Sequence, residues 1–346
     1  MTPESGLPSE FELIARYFAP LSRGFPGAYG LLDDAAVISA AAGSELVVKT
    51  DAIVEGVDFL PDVPAELVAR KALRVNLSDM AAKGATARAY LLDLLLPSSV
   101  TESWVASFAA GLARDQAEYG VHLIGGDTSS TAGPIVAAVS LFGEVPIGRI
   151  LRRGAARAED TIYVTGTIGD AALGLAASRG QLPGLDAAHA TYLLDRHRLP
   201  QPRTALGPRL LGLATASIDI SDGLIADLRH LCEVSGLSAI VQARSVALSA
   251  AARAVIADQP RHLLTAITGG DDYEILFTAP PGLESRIAEL SRSSQIPITA
   301  IGQVTATAPQ ERPQVTVLDE HGRALAIVAE GWTHFGRRPR IETTAY

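Results

Sequence analysis

Hydrophobic positions along the chain fall into short strand-like runs and longer helical stripes, and their order predicts the elements. Ser9 and Glu12 form a capping-box pattern ahead of Phe11, Ile14 and Phe18, which predicts a short helix ended by Pro20. Residues 45–50 read as a buried strand that delivers Asp51 at its C-terminal end, and Asp62-Val63-Pro64 opens a helix running to Gly84. A strand at 90–96, an amphipathic helix at 102–119 closed by Gly120, and a strand at 121–124 ending in Gly125-Gly126-Asp127 follow. A strand at 135–142 precedes the basic stretch Arg149, Arg152, Arg153, where the domain boundary is expected, giving domains 1–148 and 149–346. The second half starts again with a strand at 161–165, a Gly-rich turn at 166–169 and helices at 187–198 and 203–213. A strand at 217–220 then meets Ser221-Asp222-Gly223 and a helix from Leu224. Gly269-Gly270-Asp271-Asp272 meets a strand at 273–277, and a strand-like run at 325–328 comes near the end. Each half mixes strands with helices, so the pattern predicts two α/β or α+β domains rather than a bundle or a sandwich.

Length agrees, since 346 residues suit two domains. With 48% hydrophobic and 19% charged residues, composition excludes coiled-coil, collagen-like and disordered classes. Lys+Arg 29 against Asp+Glu 38 leaves a net charge of −9. No general attraction to nucleic acid or an anionic membrane is expected, and a polyanionic substrate would need metal ions or an Arg cluster. The single cysteine, Cys232, excludes an internal disulfide and a thiolate metal cage, and a reducing cytoplasm is the simplest compartment. Glu4, Glu10 and Glu12 are the opposite of a secretory leader. The longest uncharged run, 293–310, is rich in Ser, Thr and Gln and holds Pro297 and Pro309, so no membrane span is expected.

Candidate chemistry lies in carboxylates expected where strands stop: Asp51, Asp127, Asp222 and Asp271-Asp272. Any one alone reads as an ordinary turn residue. Asp79 adds a second kind of evidence, because Ala72, Asn76, Asp79 and Lys83 fall on one helical stripe. An Asp79–Lys83 ion pair, worth roughly 0.3 to 0.5 kcal/mol, explains Asp79 but not Asn76, and such a stripe reads as the lining of a polar cavity. Carboxylates converging on one site repel each other unless cations neutralise them. An all-oxygen shell of Asp, the Thr50 hydroxyl and water suits Mg²⁺, while the seven His form no zinc pattern. Carboxylates, metal and an Arg cluster together read as phosphate chemistry. Neither the GxxxxGK[ST] loop nor the protein-kinase motif set is present.

An ordered series of segments resembles the thiamine-monophosphate kinase family. The series is Asp33-Asp34-Ala35-Ala36-Val37, Thr50 to Val57 (TDAIVEGV), Val75 to Ala82 (VNLSDMAA), Gly125-Gly126-Asp127-Thr128, Tyr163 to Gly169 (YVTGTIG), Asp219-Ile220-Ser221-Asp222-Gly223-Leu224, Gly270-Asp271-Asp272-Tyr273-Glu274 and Gly331-Trp332-Thr333-His334-Phe335. The resemblance covers nearly the whole chain. It implies transfer of the ATP γ-phosphate to thiamine monophosphate, the two-domain fold shared with aminoimidazole ribonucleotide synthetase, and a homodimer built through the N-terminal sheets. It further implies Mg²⁺ at Asp34, Thr50, Asp51, Asp79, Asp127, Asp219 and Asp222, ATP at Gly126, Asp127, Arg153 and Ser221, and the thiamine moiety at Asp271 and Trp332. Departures from the family pattern are Leu32 for Gly, Lys49 for Ser, Asp271 for Glu, and Asp58 in a segment that commonly carries His, a position that also belongs to the substrate-binding set. Rival readings are another ATP-using synthetase of the superfamily, a metal-dependent phosphohydrolase and a non-catalytic nucleotide sensor. Those synthetases often use a reactive N-terminal segment or a C-terminal Cys, whereas Cys232 reads as a core residue.

Overall fold

Side-chain alternation builds the first sheet. In the computed structural model, which describes residues 7–327, β1 (Ser44–Val54), β2 (Thr86–Pro97), β3 (His122–Thr131) and β4 (Val136–Pro146) pair in the order β1-β4-β2-β3. Successive residues of a strand leave on opposite faces. Val47 and Ile53 of β1, Leu92, Leu94 and Leu96 of β2, and Ala137, Val139 and Leu141 of β4 therefore fill one core. Burying each large aliphatic side chain contributes about 1.5 to 3 kcal/mol. Lys49 and Asp51 stand on that same inner face of β1, between Val47 and Ile53, while Leu46, Val48 and Thr50 take the exposed outer face.

One helix lies between the two halves. After a short N-terminal helix α1 (Glu10–Leu13), Pro64 sets the N-cap of α2 (Ala65–Ala82), whose residues are buried on nearly every side, Asn76, Lys71 and Arg74 included. A helix buried all round needs partners on every side. It touches β1 and β4 of the first sheet and β6 (Ala216–Asp219) and β8 (Ile275–Ala279) of the second. On a third side packs α3 (Glu102–Tyr119), capped by Thr101 Oγ1 accepting from Trp104 N at 3.2 Å and closed by Gly120 at φ 67. The fully buried Asp115 of α3 accepts from Arg70 Nε at 2.8 Å and Arg74 Nε at 2.7 Å, which fixes the helix pair.

The second sheet has the order β10-β7-β9-β5-β8-β6, with β5 (Thr161–Thr165), β7 (Leu237–Gln242), β9 (Ile298–Ala306) and β10 (Val315–Leu318). Helix α6 (Leu224–Ser235) packs on β6 and β7, while α4 (Asp170–Ser178) and α5 (Ala187–Arg198) pack against each other. The result is a pair of mixed α/β units sharing α2 as a wall. Among the described residues no helix is long and apolar enough to cross a membrane.

Several expectations need correction. β1 continues three residues past Asp51, so Asp51 sits inside the strand, and β3 likewise carries Asp127 in its interior. Extended backbone continues there because β4 and β2 supply hydrogen-bonding partners along the whole length. Asp271 and Asp272 precede β8 rather than follow a strand, and Tyr273 lies outside it. The helix expected at 203–213 is only a turn at Gly207–Leu210, since Pro202 and Pro208 remove backbone donors. Of the run at 325–328, the described part contributes no strand, only the nearby bridge of Ala324 to Leu318.

Candidate active site at the junction of the two sheets

The chain has only three lysines, and all three reach the junction around α2. Lys49 and Asp51 leave β1 on the same face, and Asp79 approaches from α2. Lys49 Nζ lies 3.0 Å from Asp51 Oδ2 and 2.9 Å from Asp79 Oδ2. Lys71, buried on α2, donates to the Asp58 carbonyl at 2.8 Å and to Asp271 Oδ2 at 3.0 Å. Lys83, next after α2, donates to the Ser217 carbonyl at 2.9 Å. The expected pairing of Asp79 with Lys83 is thus replaced by pairing with Lys49, because Lys83 is drawn to β6. The polar stripe on α2 divides as well: Asn76 is fully buried, donating to the Ala72 carbonyl at 3.0 Å, and only Asp79 opens toward solvent.

The electrostatics of this junction favour added positive charge. Burial works against the Lys49 ammonium, yet Asp79 and Asp51 outweigh it and hold Lys49 above the usual lysine range. Burial in turn keeps Asp51 above the usual carboxylate range although Lys49 is beside it. Asp219, the last residue of β6, is raised well above that range by burial and by the neighbouring Asp79. One ammonium therefore undercompensates these carboxylates. At the other end of α2, burial tends to raise Asp271, but Lys71 and His197 hold it below the ordinary value. Burial and Lys71 push His197 down to about 4, so it is neutral at pH 7 where it meets Asp271 at 3.5 Å.

The second sheet delivers two interlocked loops. Gly270 lies so close to the Ser221 carbonyl that a Cβ there would approach it to 2.1 Å, which only glycine permits. Across this contact Asp271 N donates to the Ser221 carbonyl at 2.9 Å and Tyr273 N to the Ile220 carbonyl at 2.8 Å. Asp271 (φ 71) and Tyr273 (φ 50) both take left-handed backbone, a strained arrangement that these bonds maintain. Asp227, one turn into α6, accepts the N–H groups of Ser221, Asp222 and Gly223 at 3.0, 3.0 and 3.1 Å. This residue escaped the sequence reading, although an acid in the first turn of a helix following Ser-Asp-Gly is a recognisable signal.

Burial, followed by the Asp222 charge, pushes Asp227 up to about 7. Between about pH 4 and pH 7 the native chain therefore retains a proton that the unfolded chain has released, and stability falls as pH rises through that window. Asp227→Asn is expected to reduce this slope by up to about 1.4 kcal/mol per pH unit. Urea unfolding across that range measures it, and parallel curves for the two proteins would contradict the assignment.

The predicted site residues are distributed unevenly. Asp51, Asp79, Asp219 and Ser221 gather with Lys49 and Lys83 at the junction, and Asp222 follows directly in the loop that Asp227 holds. Burial holds Lys83 below the usual lysine range, and Arg153, in a short turn after β4, adds to that shift. Asp58 accepts from Val54 N at 2.8 Å and closes the turn after β1, beside Lys71 and Asp271. Asp127 stands opposite Asp93 in the β2–β3 register, on the outer face that Thr50 also shares. Gly126, at φ 147, passes tightly against the Leu92 carbonyl. Asp34 is exposed, its N–H donating to Asp33 Oδ1 at 2.8 Å. Trp332 lies outside the described residues.

Among the described residues no three acidic, His or Cys side chains form a ready-made ion cage. The donor set still fits Mg²⁺, which keeps several waters and is usually held by one or two carboxylates together with substrate phosphates. Asp51 and Asp79, with Asp219 behind them, offer such an all-oxygen set, with the Lys49 ammonium lying between the first two.

Comparison with known proteins finds relatives over most of the chain. The family model for the N-terminal domain of AIR synthase related protein matches residues 32–145, and that for its C-terminal domain matches 157–312. Thiamine-monophosphate kinase of Escherichia coli (strain K12) is 42% identical over 328 residues, covering 94% of this chain and 98% of that protein. The crystal structure of thiamine-monophosphate kinase from Stenotrophomonas maltophilia K279a superposes with a TM-score of 0.75 at 37% identity, over 82% of this chain and 89% of that one. AaThiL complexed with AMPPCP and TMP superposes with a TM-score of 0.73 at 30% identity, over 89% of this chain and 97% of that one.

Proposed function

The chain belongs to the AIR synthase related family, and from that premise we infer that it is a thiamine-monophosphate kinase, transferring the γ-phosphate of ATP to the phosphate of thiamine monophosphate to give thiamine diphosphate. The observation that carries the reading is 42% identity to such a kinase over 94% of this chain, spanning both halves of the junction. The site chemistry agrees. The acceptor is already a phosphate oxyanion and needs no general base. Positioning and charge stabilisation carry most of such a reaction.

Mg²⁺ ions belong to this reading: Asp51, Asp79, Asp219 and Asp222 would hold them at the junction, whereas Asp34, which is exposed, and Thr50 and Asp127, on the outer face of the first sheet, would hold ions away from that junction. When bound they would screen the repulsion between two polyanions and stabilise charge on the transferred phosphoryl group. Gly126, Asp127, Arg153 and Ser221 are assigned to ATP. Asp58, Asp271 and Trp332 are assigned to the thiamine end, with Lys71 locking Asp58 and Asp271 into one unit. Domain 1–148 would carry metal, ATP and dimerisation, and domain 149–346 would complete the ATP and substrate site. A homodimer is proposed through the outer face of the first sheet, where Leu46 is 40% and Val48 62% exposed, and where Thr50 and Asp127 also lie. A cytoplasmic location is consistent with the single, buried, free Cys232.

Purified chain with Mg-ATP and a panel of phosphorylated acceptors tests the reading. Thiamine diphosphate is expected from thiamine monophosphate and nothing from unphosphorylated thiamine. ATP turnover without any acceptor would instead favour a phosphohydrolase.

A further inference from the structure

We propose that Lys49 is a resident cation of the phosphoryl-transfer site, held permanently between Asp51 and Asp79, so that this pair takes up fewer divalent ions than two bare carboxylates would. The proposal rests on the assignment of Asp51 and Asp79 as metal-holding carboxylates. Its geometry is direct: one ammonium sits 3.0 Å from Asp51 and 2.9 Å from Asp79, in the gap an ion would bridge. An ion there would need both oxygens at about 2.0 to 2.1 Å, which excludes the ammonium from the same position.

Three features separate Lys49 from an ordinary surface lysine. Its root is fixed, because β1 pairs with β4 from Ser44 to Val54, and its side chain leaves on the inner face between the buried Val47 and Ile53. Its partners differ in kind from those of the other two lysines. Lys83 donates to a main-chain carbonyl and Lys71 divides between the Asp58 carbonyl and Asp271 at the thiamine end, whereas both ion-pair partners of Lys49 are carboxylates assigned to metal. The residue type matters too. In a chain whose 29 basic residues are all arginine except Lys49, Lys71 and Lys83, this position carries the compact ammonium. An ammonium donates three protons from one point, so two can serve Asp51 and Asp79 while the third turns toward an anion entering the junction. Lys49 therefore positions both carboxylates before any ion or nucleotide arrives.

The scarcity of lysine makes the test clean. In full-length chain labelled with ¹³Cε-lysine, three signals are expected, and Lys49→Arg identifies one of them. During titration with Mg²⁺ and AMPPCP the Lys49 signal should stay at its ion-paired position; movement to a free-lysine position means displacement by metal and overturns the proposal. Mn²⁺ binding in the presence of AMPPCP, counted by electron paramagnetic resonance, gives the second arm. Lys49→Gln should bind an additional ion per chain, or bind its weakest ion about tenfold more tightly. It should melt lower than wild type without metal and recover on adding it, while Lys49→Arg, which keeps the charge but not the compact ammonium, should fall between the two. Equal ion number and affinity in wild type and Lys49→Gln, with equal metal-free melting, would overturn the proposal while leaving the metal assignment standing. No Mn²⁺ bound by either protein would remove the metal assignment and this proposal with it.

Discussion

Excess chelator is expected to stop phosphoryl transfer by this chain completely, and added Mg²⁺ to restore it. The expectation follows from charge at the junction. Asp51 stays above the ordinary carboxylate range even with Lys49 beside it, and buried Asp219 is raised further by Asp79. ATP and a phosphorylated acceptor would add several negative charges to a region whose lysines are already engaged with Asp51, Asp79, Asp271 and main-chain carbonyls. Two polyanions cannot be held in line there by Lys49, Lys83 and Arg153 alone. Thiamine diphosphate formation assayed before and after dialysis against chelator measures the effect, with melting temperature as a control for the fold. Full turnover in excess chelator would end the metal assignment. On the metal assignment Mg²⁺ would bind the native chain and not the unfolded one, so metal removal should also lower the melting temperature when nucleotide is present.

Much of the fold is legible in the sequence because burial imposes a period. The strand-like run at 90–96 lies within β2, and the helical stripe from 102 to 119 coincides with α3 between Thr101 and Gly120. Both signals are local. The expectation that strands end at their carboxylates fails for Asp51 and Asp127, since strand length depends on how far the neighbouring strand extends, which the sequence of one strand does not contain. The stretch at 203–213 misleads in the opposite way: its apolar spacing suits a helix, but Pro202, Pro208 and Gly212 limit it to one short turn. In the site, residues on one local segment are readable, such as Asp219, Ser221 and Asp222. Lys49 and Asp79 are 30 positions apart and Lys71 and Asp271 are 200 apart, so their pairings exist only once α2 is clamped between the sheets. What the sequence does offer is scarcity, for three lysines among 29 basic residues is a pattern worth following.

Asp79→Asn is expected to lower turnover by roughly two to three orders of magnitude while leaving the fold intact. The substitution keeps size and helix compatibility and removes one charge, so its consequences depend on what Asp79 does. An ion pair with Lys83 is not what holds Asp79, because Lys83 donates to the Ser217 carbonyl. The partner is Lys49, and an Asn oxygen can still accept from that ammonium, so the stability lost should be within about 1 kcal/mol for this partly exposed pair. The loss of charge acts elsewhere. Asp79 is the carboxylate that both Lys49 and Asp219 sense, and it stands where β1, α2 and β6 meet. Without it, Asp51 and Lys49 neutralise one another and little remains to attract a divalent ion. The half-saturating Mg²⁺ concentration should therefore rise alongside the fall in turnover, with melting temperature nearly unchanged. Wild-type turnover at saturating Mg²⁺ would show that Asp79 serves only to hold Lys49 in place.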